Sequence, residues 1–403
     1  MNVASLPGVR RLLPALDGLP PAYLVGGAVR DLLLRSESVD LDVAVEGDAL
    51  AAAWELASRL DGRAVTHERF GTATVRTDDG FVVDLAGTRR ERYPAPGALP
   101  EVEPAPLADD LARRDFTINA MAIGLSGSDL GQMHDPHGGE ADLRAGVVRV
   151  LHPGSFVDDP TRLLRAVRYE SRLGFRMDEQ TERLAREAAA GEALGTVSGQ
   201  RVRDELLDLL GEPSAPAALA RLAELGIDRG LNPSFVADPD LAASAALGSA
   251  ETGADPRLAA LAALVSRAPD ELEGWVDSLN LGRGNRNAVM AAARQAPGLL
   301  PALRAEPPPS AVHALLRCEP AETLAVALAL GAPAGPVLRF LADLRDVRLE
   351  ITGDDLMEEG VPRSPAIGRA LDETLRRKLD GLVSGREDEL RVALEVARGE
   401  EGR

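Results

Sequence analysis

The chain has 403 residues, enough for more than one domain, with 45% hydrophobic residues but only 3% aromatics, so its cores have to be built from Leu, Ala and Val, which favours packed helices. The formal net charge of -19 excludes a uniformly basic surface that would coat a polyanion, although a net value does not locate charge. The single cysteine, Cys318, excludes an intramolecular disulfide; with no leader pattern at the N-terminus and no run of about 18 apolar residues, a cytoplasmic protein with no membrane span is expected.

In chain order, an apolar run ends at Val25, a helix is expected from Val29 to Leu34, and "LDVAV" reads as a strand. "DALAAAWELASRL" has the apolar spacing of an amphipathic helix, and "TATVRT" and "FVVDLAG" read as a strand pair joined at the turn "DDG". The stretch from Tyr93 to Pro106, "YPAPGALPEVEPAP", holds too many prolines for a regular element and is expected to be an extended, mobile loop. "LARRDFTINAMAIGL" reads as helix or strand border, and "HDPHGGEADLRAGVVRVL" as a turn, a helix start and a short strand. From Asp159 onward nearly everything reads as helix, with turns at Gly174, Gly195, Pro213 and Gly226, and segments 233–256 and 306–310 as candidate boundaries. Arginine clusters locally, as in Arg89, Arg90 and Arg92, or Arg162, Arg165, Arg168 and Arg172, whereas Lys378 is the only lysine. Genome composition accounts for such arginine use as readily as phosphate binding does.

Asp40 and Asp42 are two residues apart; on a strand this puts both carboxylates on one face, about 6–7 Å apart along the chain. A hard divalent ion relieves their repulsion, but a solvated strand face presents the same pattern. Gly26 and Gly27 allow close approach of a phosphate to the backbone, and equally a tight strand-to-helix turn. Arg30 is suited to phosphate or to pairing with Asp31 or Asp40. Asp84 is either a third carboxylate near a metal or the partner of Arg89. His134-Asp135 alone, with five scattered histidines, makes no metal cluster, and "DPHGG" reads as a turn.

Taken with "LVGGAVRDLLL" and "DLDVAV", the stretches "ARRDFTINAMA", "DDPTRLLRAVRYESRLGF" and "VSGQRVRDELLDLL" resemble, in order, the motifs of class II tRNA nucleotidyltransferases and bacterial poly(A) polymerases, in the nucleotidyltransferase superfamily of DNA polymerase beta type. "LEITGDDLMEEGVPRSPAIGRAL" resembles that family's tail. The resemblance implies an α+β fold: a nucleotidyltransferase head with a small mixed sheet at residues 1–140, then an all-α neck (141–211), body (212–330) and tRNA-binding tail (331–403). It implies transfer of C and/or A from CTP and/or ATP to the 3′ end of tRNA with release of pyrophosphate, and Mg2+ as cofactor. Asp40 and Asp42 match the catalytic, metal-binding carboxylates. Gly26, Gly27 and Arg30 match a triphosphate turn, and Arg113, Arg114, Asp115 and Asn119 a sugar and phosphate motif. On a helix from Asp158 to Phe175, Asp159 and Arg162 match the base template, one face apart by three residues. A carboxylate accepts from the exocyclic amine of C or A and a guanidinium donates to the ring, whereas U and G present a carbonyl to the carboxylate. Arg165 and Arg168, near the same face, either hold triphosphate or pair with carboxylates. Asp158 departs from the Glu common at its position. The proline-rich loop leans toward an enzyme that adds only part of CCA. A poly(A) polymerase usually carries a basic tail, which "ARGEEGR" is not; a non-catalytic RNA-binding protein is at odds with intact Asp40 and Asp42. The sequence assigns no oligomeric state.

Overall fold

The computed structural model describes residues 7–35, 40–68 and 71–401; the last residues of "ARGEEGR" lie outside this range. It has two compact units, one of residues 1–205 and 221–233 and the other of residues 206–220 and 234–403. The fold is α+β, with the seven-stranded mixed sheet in the first unit.

That sheet is assembled from β1 (Ala22–Val25), β2 (Asp42–Val45), β3 (Gly62–His67), β4 (Thr72–Thr77), β5 (Val82–Gly87), and, beyond a separate hairpin of β6 (Arg89–Arg92) and β7 (Glu101–Pro104), β8 (Ala122–Gly124) and β9 (Met133–His134). The strand order is β3-β4-β5-β2-β1-β8-β9. β2 runs parallel to β5 with Asp42 opposite Asp84, and antiparallel to β1. α1 (Pro7–Ala15) precedes the first strand, and between the strands lie α2 (Gly27–Leu33), α3 (Ala49–Arg59) and α4 (Leu107–Ala112). Asp48 caps α3 by accepting from the backbone N–H of Leu50 and Ala51 at 3.0 Å, and Ala52, Ala53 and Leu56 bury its inner face. Leu107 and Leu111 of α4 pack with Tyr23, Val25, Ala44 and Ala122 on the sheet.

Three expectations are corrected here. The proline-rich stretch is not irregular throughout, because Glu101–Pro104 pairs antiparallel with Arg89–Arg92; an exposed edge strand tolerates proline since no inner ladder bond is lost. Residues 141–211 are not all-α, because Arg176–Met177 (β11) pairs in parallel with Val147–Val148 (β10), which follows α5 (Gly139–Ala145). The helix drawn from Asp158 to Phe175 is broken. A short α6 (Ser155–Asp158) ends at Asp159, whose backbone is extended, and α7 (Arg162–Leu173) begins after Thr161. Pro160 forces this, since the residue before a proline is pushed out of helical geometry.

The second unit is helical. Its cores use the small aliphatic residues that low aromatic content dictates: Leu258 through Val265 are all buried in helix Pro256–Val265. Prolines open helices rather than separate them, at Pro239, Pro256, Pro269, Pro309 and Pro365, where the missing N–H would be unbonded anyway. Among the described residues no helix is long and apolar enough to cross a membrane.

Candidate active site

Where β1 meets α2, Gly26 has φ +65° and ψ -130°, a conformation open to glycine and hostile to side chains. A Cβ there would also come within 2.8 Å of Arg114 Nη1. The two glycines open onto a cavity of about 490 Å3 within the first unit. In a chain of net charge -19, its wall holds six arginines and four carboxylates. The local field is thus reversed relative to the whole, which suits an anionic ligand.

Arg30 is buried, and of the alternatives for it the pairing with Asp31 is the one formed, joined by Asn119. It donates to both carboxylate oxygens of Asp31 at 2.8 and 3.0 Å and to Asn119 Oδ1 at 2.7 Å. Its guanidinium also lies 5.2 Å from the centre of the Tyr169 ring. Burial opposes its charge, but the hydrogen bonds and charge of Asp31 overcome this and hold its pKa above the ordinary value. Asn119 in turn donates to Asp115 Oδ1 at 3.0 Å, while Arg165 donates to Asp115 Oδ2 at 3.0 and 2.7 Å and to Glu205 at 2.8 Å. Burial opposes the charge of Asp115; Arg165 nonetheless keeps its pKa below the usual carboxylate range. Asp115 and Asn119 line the cavity, but much of their hydrogen-bonding capacity is engaged in this chain. Arg168 is bonded to Glu205 at 3.0 Å and does not line the cavity. For it, pairing describes the geometry better than phosphate contact.

The broken helix sets Asp159 and Arg162 differently from two residues on one helical face, yet both line the cavity. Asp159 Oδ1 accepts from the Thr161 N–H at 3.1 Å, the Thr161 hydroxyl at 2.7 Å and Arg201 at 2.8 Å. Arg162, 5% exposed, donates to the Ser155 hydroxyl at 2.6 Å and the Arg113 carbonyl at 2.9 Å. Both groups are fixed by protein contacts, as a template requires. Asp158 faces His152, at 3.8 Å. The tip of the β6–β7 hairpin is held near them: the Gly97 N–H donates to the Val157 carbonyl at 3.1 Å, and Arg201 donates to the Gly97 carbonyl at 3.3 Å.

Asp42, at the start of β2, reaches both this cavity and an adjoining one that Asp84 and Thr74 line. Burial, then Asp84 and Asp40, push its pKa above the ordinary value against the pull of Arg114 and Arg30. Asp84 accepts from the Thr74 hydroxyl, and Arg89 pairs with Glu91. Asp40 is exposed just before the strand. Among the described residues no group of three or more His, Cys, Asp or Glu side chains is arranged to hold an ion unaided. His134 ends β9, and the turn expected at "DPHGG" follows it; there Asp135 accepts from the N–H of Gly139 and Glu140 at the start of α5.

Sequence reasoning passed over Asp110, Glu91, Tyr93, Tyr169, Arg201 and Glu205. Tyr169 has the guanidinium groups of Arg30, Arg165 and Arg168 within 6 Å of its ring centre. Tyr93 donates to Glu91 at 3.1 Å, and its pKa is pushed to about 12, chiefly by burial. Asp110 had a signal: it stands three and four residues before Arg113 and Arg114 in "DDLARRD".

Residues 22–149 match the family model of the poly A polymerase head domain, and residues 174–238 that of the probable RNA and SrmB- binding site of polymerase A. An A-adding tRNA nucleotidyltransferase of Geobacter sulfurreducens is 36% identical across 94% of this chain, but the match covers 45% of that protein. A CC-adding tRNA nucleotidyltransferase of Deinococcus radiodurans is 34% identical across 93% of this chain and 89% of its own length. The chain spans less than half the length of the first curated relatives it matches. The structure of the Thermotoga maritima CCA-adding enzyme complexed with tRNA CCA has a TM-score of 0.75 and 33% identity, covering 98% of this chain and 96% of that one. With a relative alike over nearly its whole length and the head model matched across most of the residues that build the cavity, this chain belongs to the family of tRNA nucleotidyltransferases and bacterial poly(A) polymerases.

Proposed function

We propose that this chain is a cytoplasmic nucleotidyltransferase that adds C, A or both to the 3′ end of tRNA from CTP and ATP, releasing pyrophosphate. The observation that carries this reading is the composition of the cavity: in an acidic protein it gathers arginines, the glycine turn, Asp42, and the Asp159 and Arg162 pair. The A-adding and CC-adding names of the relatives support the same chemistry.

Enzymes of this family generally use a divalent metal. Here Asp40 and Asp42, with Asp84 beside them, would hold Mg2+. The fit rests on the oxygen donors and on the pKa of Asp42, raised by burial first and then by the neighbouring Asp84 and Asp40 charges. Because these carboxylates alone do not form a complete cluster among the described residues, substrate phosphate oxygens would complete the shell, as Mg2+ sites commonly require. When bound, the metal lowers the pKa of the attacking 3′ hydroxyl and stabilises charge on the attacking and leaving oxygens. The chain's own residues do the rest. The backbone at Gly26 and Gly27 admits the triphosphate, and Arg113 and Arg114 meet its charge. Asp159 accepts from N4 of cytosine or N6 of adenine, while Arg162 donates to the ring, so U and G are rejected because they present a carbonyl where the carboxylate needs a donor. Arg30, Arg165 and Arg168 keep this frame in place.

The division into head (1–140), neck (141–211), body (212–330) and tail (331–403) is part of the proposal, with the helical residues gripping the tRNA backbone in a salt-sensitive way. The test is incubation with tRNAs that end before, within and after the CC, with CTP and ATP supplied separately. Addition of C alone, A alone or both assigns the branch. Long adenosine tails would point to a poly(A) polymerase, and RNA binding without transfer would refute the enzyme reading.

A further inference from the structure

We propose that Asp110 is a positioning residue, whose buried carboxylate aims the guanidinium groups of Arg113 and Arg114 at the triphosphate. The inference rests on the functional reading above. Asp110 is 1% exposed and sits near the end of α4, while both arginines line the cavity and Asp110 does not. Its Oδ1 accepts from Nε and Nη2 of Arg113 at 2.9 and 2.7 Å, and its Oδ2 from Nη2 of Arg114 at 2.8 Å. Oδ1 also takes a 3.4 Å bond from the Arg89 N–H at the foot of the hairpin, and Arg113 Nη1 donates to Glu91 on that hairpin at 2.8 Å. One carboxylate thus fixes two arginines and the strand next to them. A carboxylate buried this deeply is costly unless cations pair with it. Burial opposes its ionisation, but Arg114 and Arg113 keep its pKa below the usual range.

Arg114 shows what the arrangement is for. It lines the cavity at Gly26 and also the one beside Asp42 and Asp84. Asp110 holds one end of its guanidinium. At the other end, Nη1 makes only a long 3.5 Å bond to the Asn119 carbonyl, and Nε is buried with no hydrogen-bond partner. Buried polar groups of this kind are normally satisfied. A phosphate oxygen between Gly26 and Asp42 would satisfy donors that the protein leaves unused.

The test is Asp110→Asn, which keeps the shape but replaces one acceptor by an NH2 that faces a guanidinium, so one arginine is released. Steady-state kinetics with CTP and ATP on tRNAs ending before and within the CC are measured beside inhibition by pyrophosphate, a ligand with the phosphates but no base or sugar. The expected result is a rise of about tenfold in KM for the nucleotide and in the pyrophosphate inhibition constant, with KM for tRNA unchanged. In an Arg113→Ala, Arg114→Ala background the same change should add nothing. A variant that melts earlier but keeps both constants within about twofold overturns the inference, because Asp110 is then structural only. If Asp110→Asn does not fold, Asp110→Ser is measured in its place. If the wild type transfers no nucleotide, the functional reading fails by itself, and calorimetric binding of pyrophosphate to wild type and variant still decides the role of Asp110.

Discussion

In the first unit, Arg30, Asp110, Arg162, Glu170 and Arg221 are at most 7% exposed, and each has named partners. In the second, the arginines of the Arg294–Glu273, Arg376–Glu373 and Arg391–Asp388 pairs are 40–58% exposed, while Leu and Ala fill the interior. Glu389 departs from this, fully buried against Lys378. Pairs on the surface are weak because water competes for them, whereas buried charges have to be matched by partners or the fold suffers. The first unit thus carries charges that stability alone does not call for. Preset charges that need not reorganise are what a site for an anionic substrate requires.

The largest expected effect tests whether the cavity is that site. Asp42→Asn should lower single-turnover transfer on the order of 10^3-fold. Without metal it should also raise the melting temperature. Between the ordinary pKa of Asp42 and its raised folded value the folded state binds more protons, so stability falls as pH rises through that window. The asparagine variant escapes this, and its advantage should grow from acid to neutral pH; equal melting points at neutral pH would contradict the argument.

Next come the buried pairs. Arg221 holds Glu170, which also accepts from the Met177 N–H at 2.6 Å. Arg221→Met strands this carboxylate and should cost about 3 kcal/mol in urea unfolding. Lys378→Met should cost a similar amount by stranding Glu389; a small loss there would sharpen the contrast between units. Smaller still is an acid effect. The lowered pKa of Asp110 contributes stability above its ordinary value, and this is lost as pH falls through the folded value. Asp110→Asn should therefore lose less stability than the wild type below about pH 4. Arg376→Ala, on the surface of the second unit, should leave the melting temperature unchanged, and a clear drop would break the comparison.

Much of the site was legible because its chemistry is local in the chain. Gly26, Gly27, Arg30, Asp42, Arg113, Asp115, Asn119, Asp159, Arg162 and Arg165, picked out as motifs, all line one cavity. Arg168 is drawn out of it by Glu205, a partner 37 residues away that spacing cannot reveal. Tyr93 and Glu91 went unnoticed because prolines hid a hairpin, and cross-strand pairing is a long-range property.

By itself the sequence determined most element types, the aliphatic cores and the motif residues, since periodicity, proline and glycine act through neighbours along the chain. The tertiary structure alone decided which charges neutralise each other: that Arg30 is tied to Asp31 and Asn119, that Asp84 stands opposite Asp42, and that Asp110 holds two arginines. The reason is physical. A guanidinium reaches its partner through space, within about 3 Å, and only the folded chain sets which carboxylate comes that close.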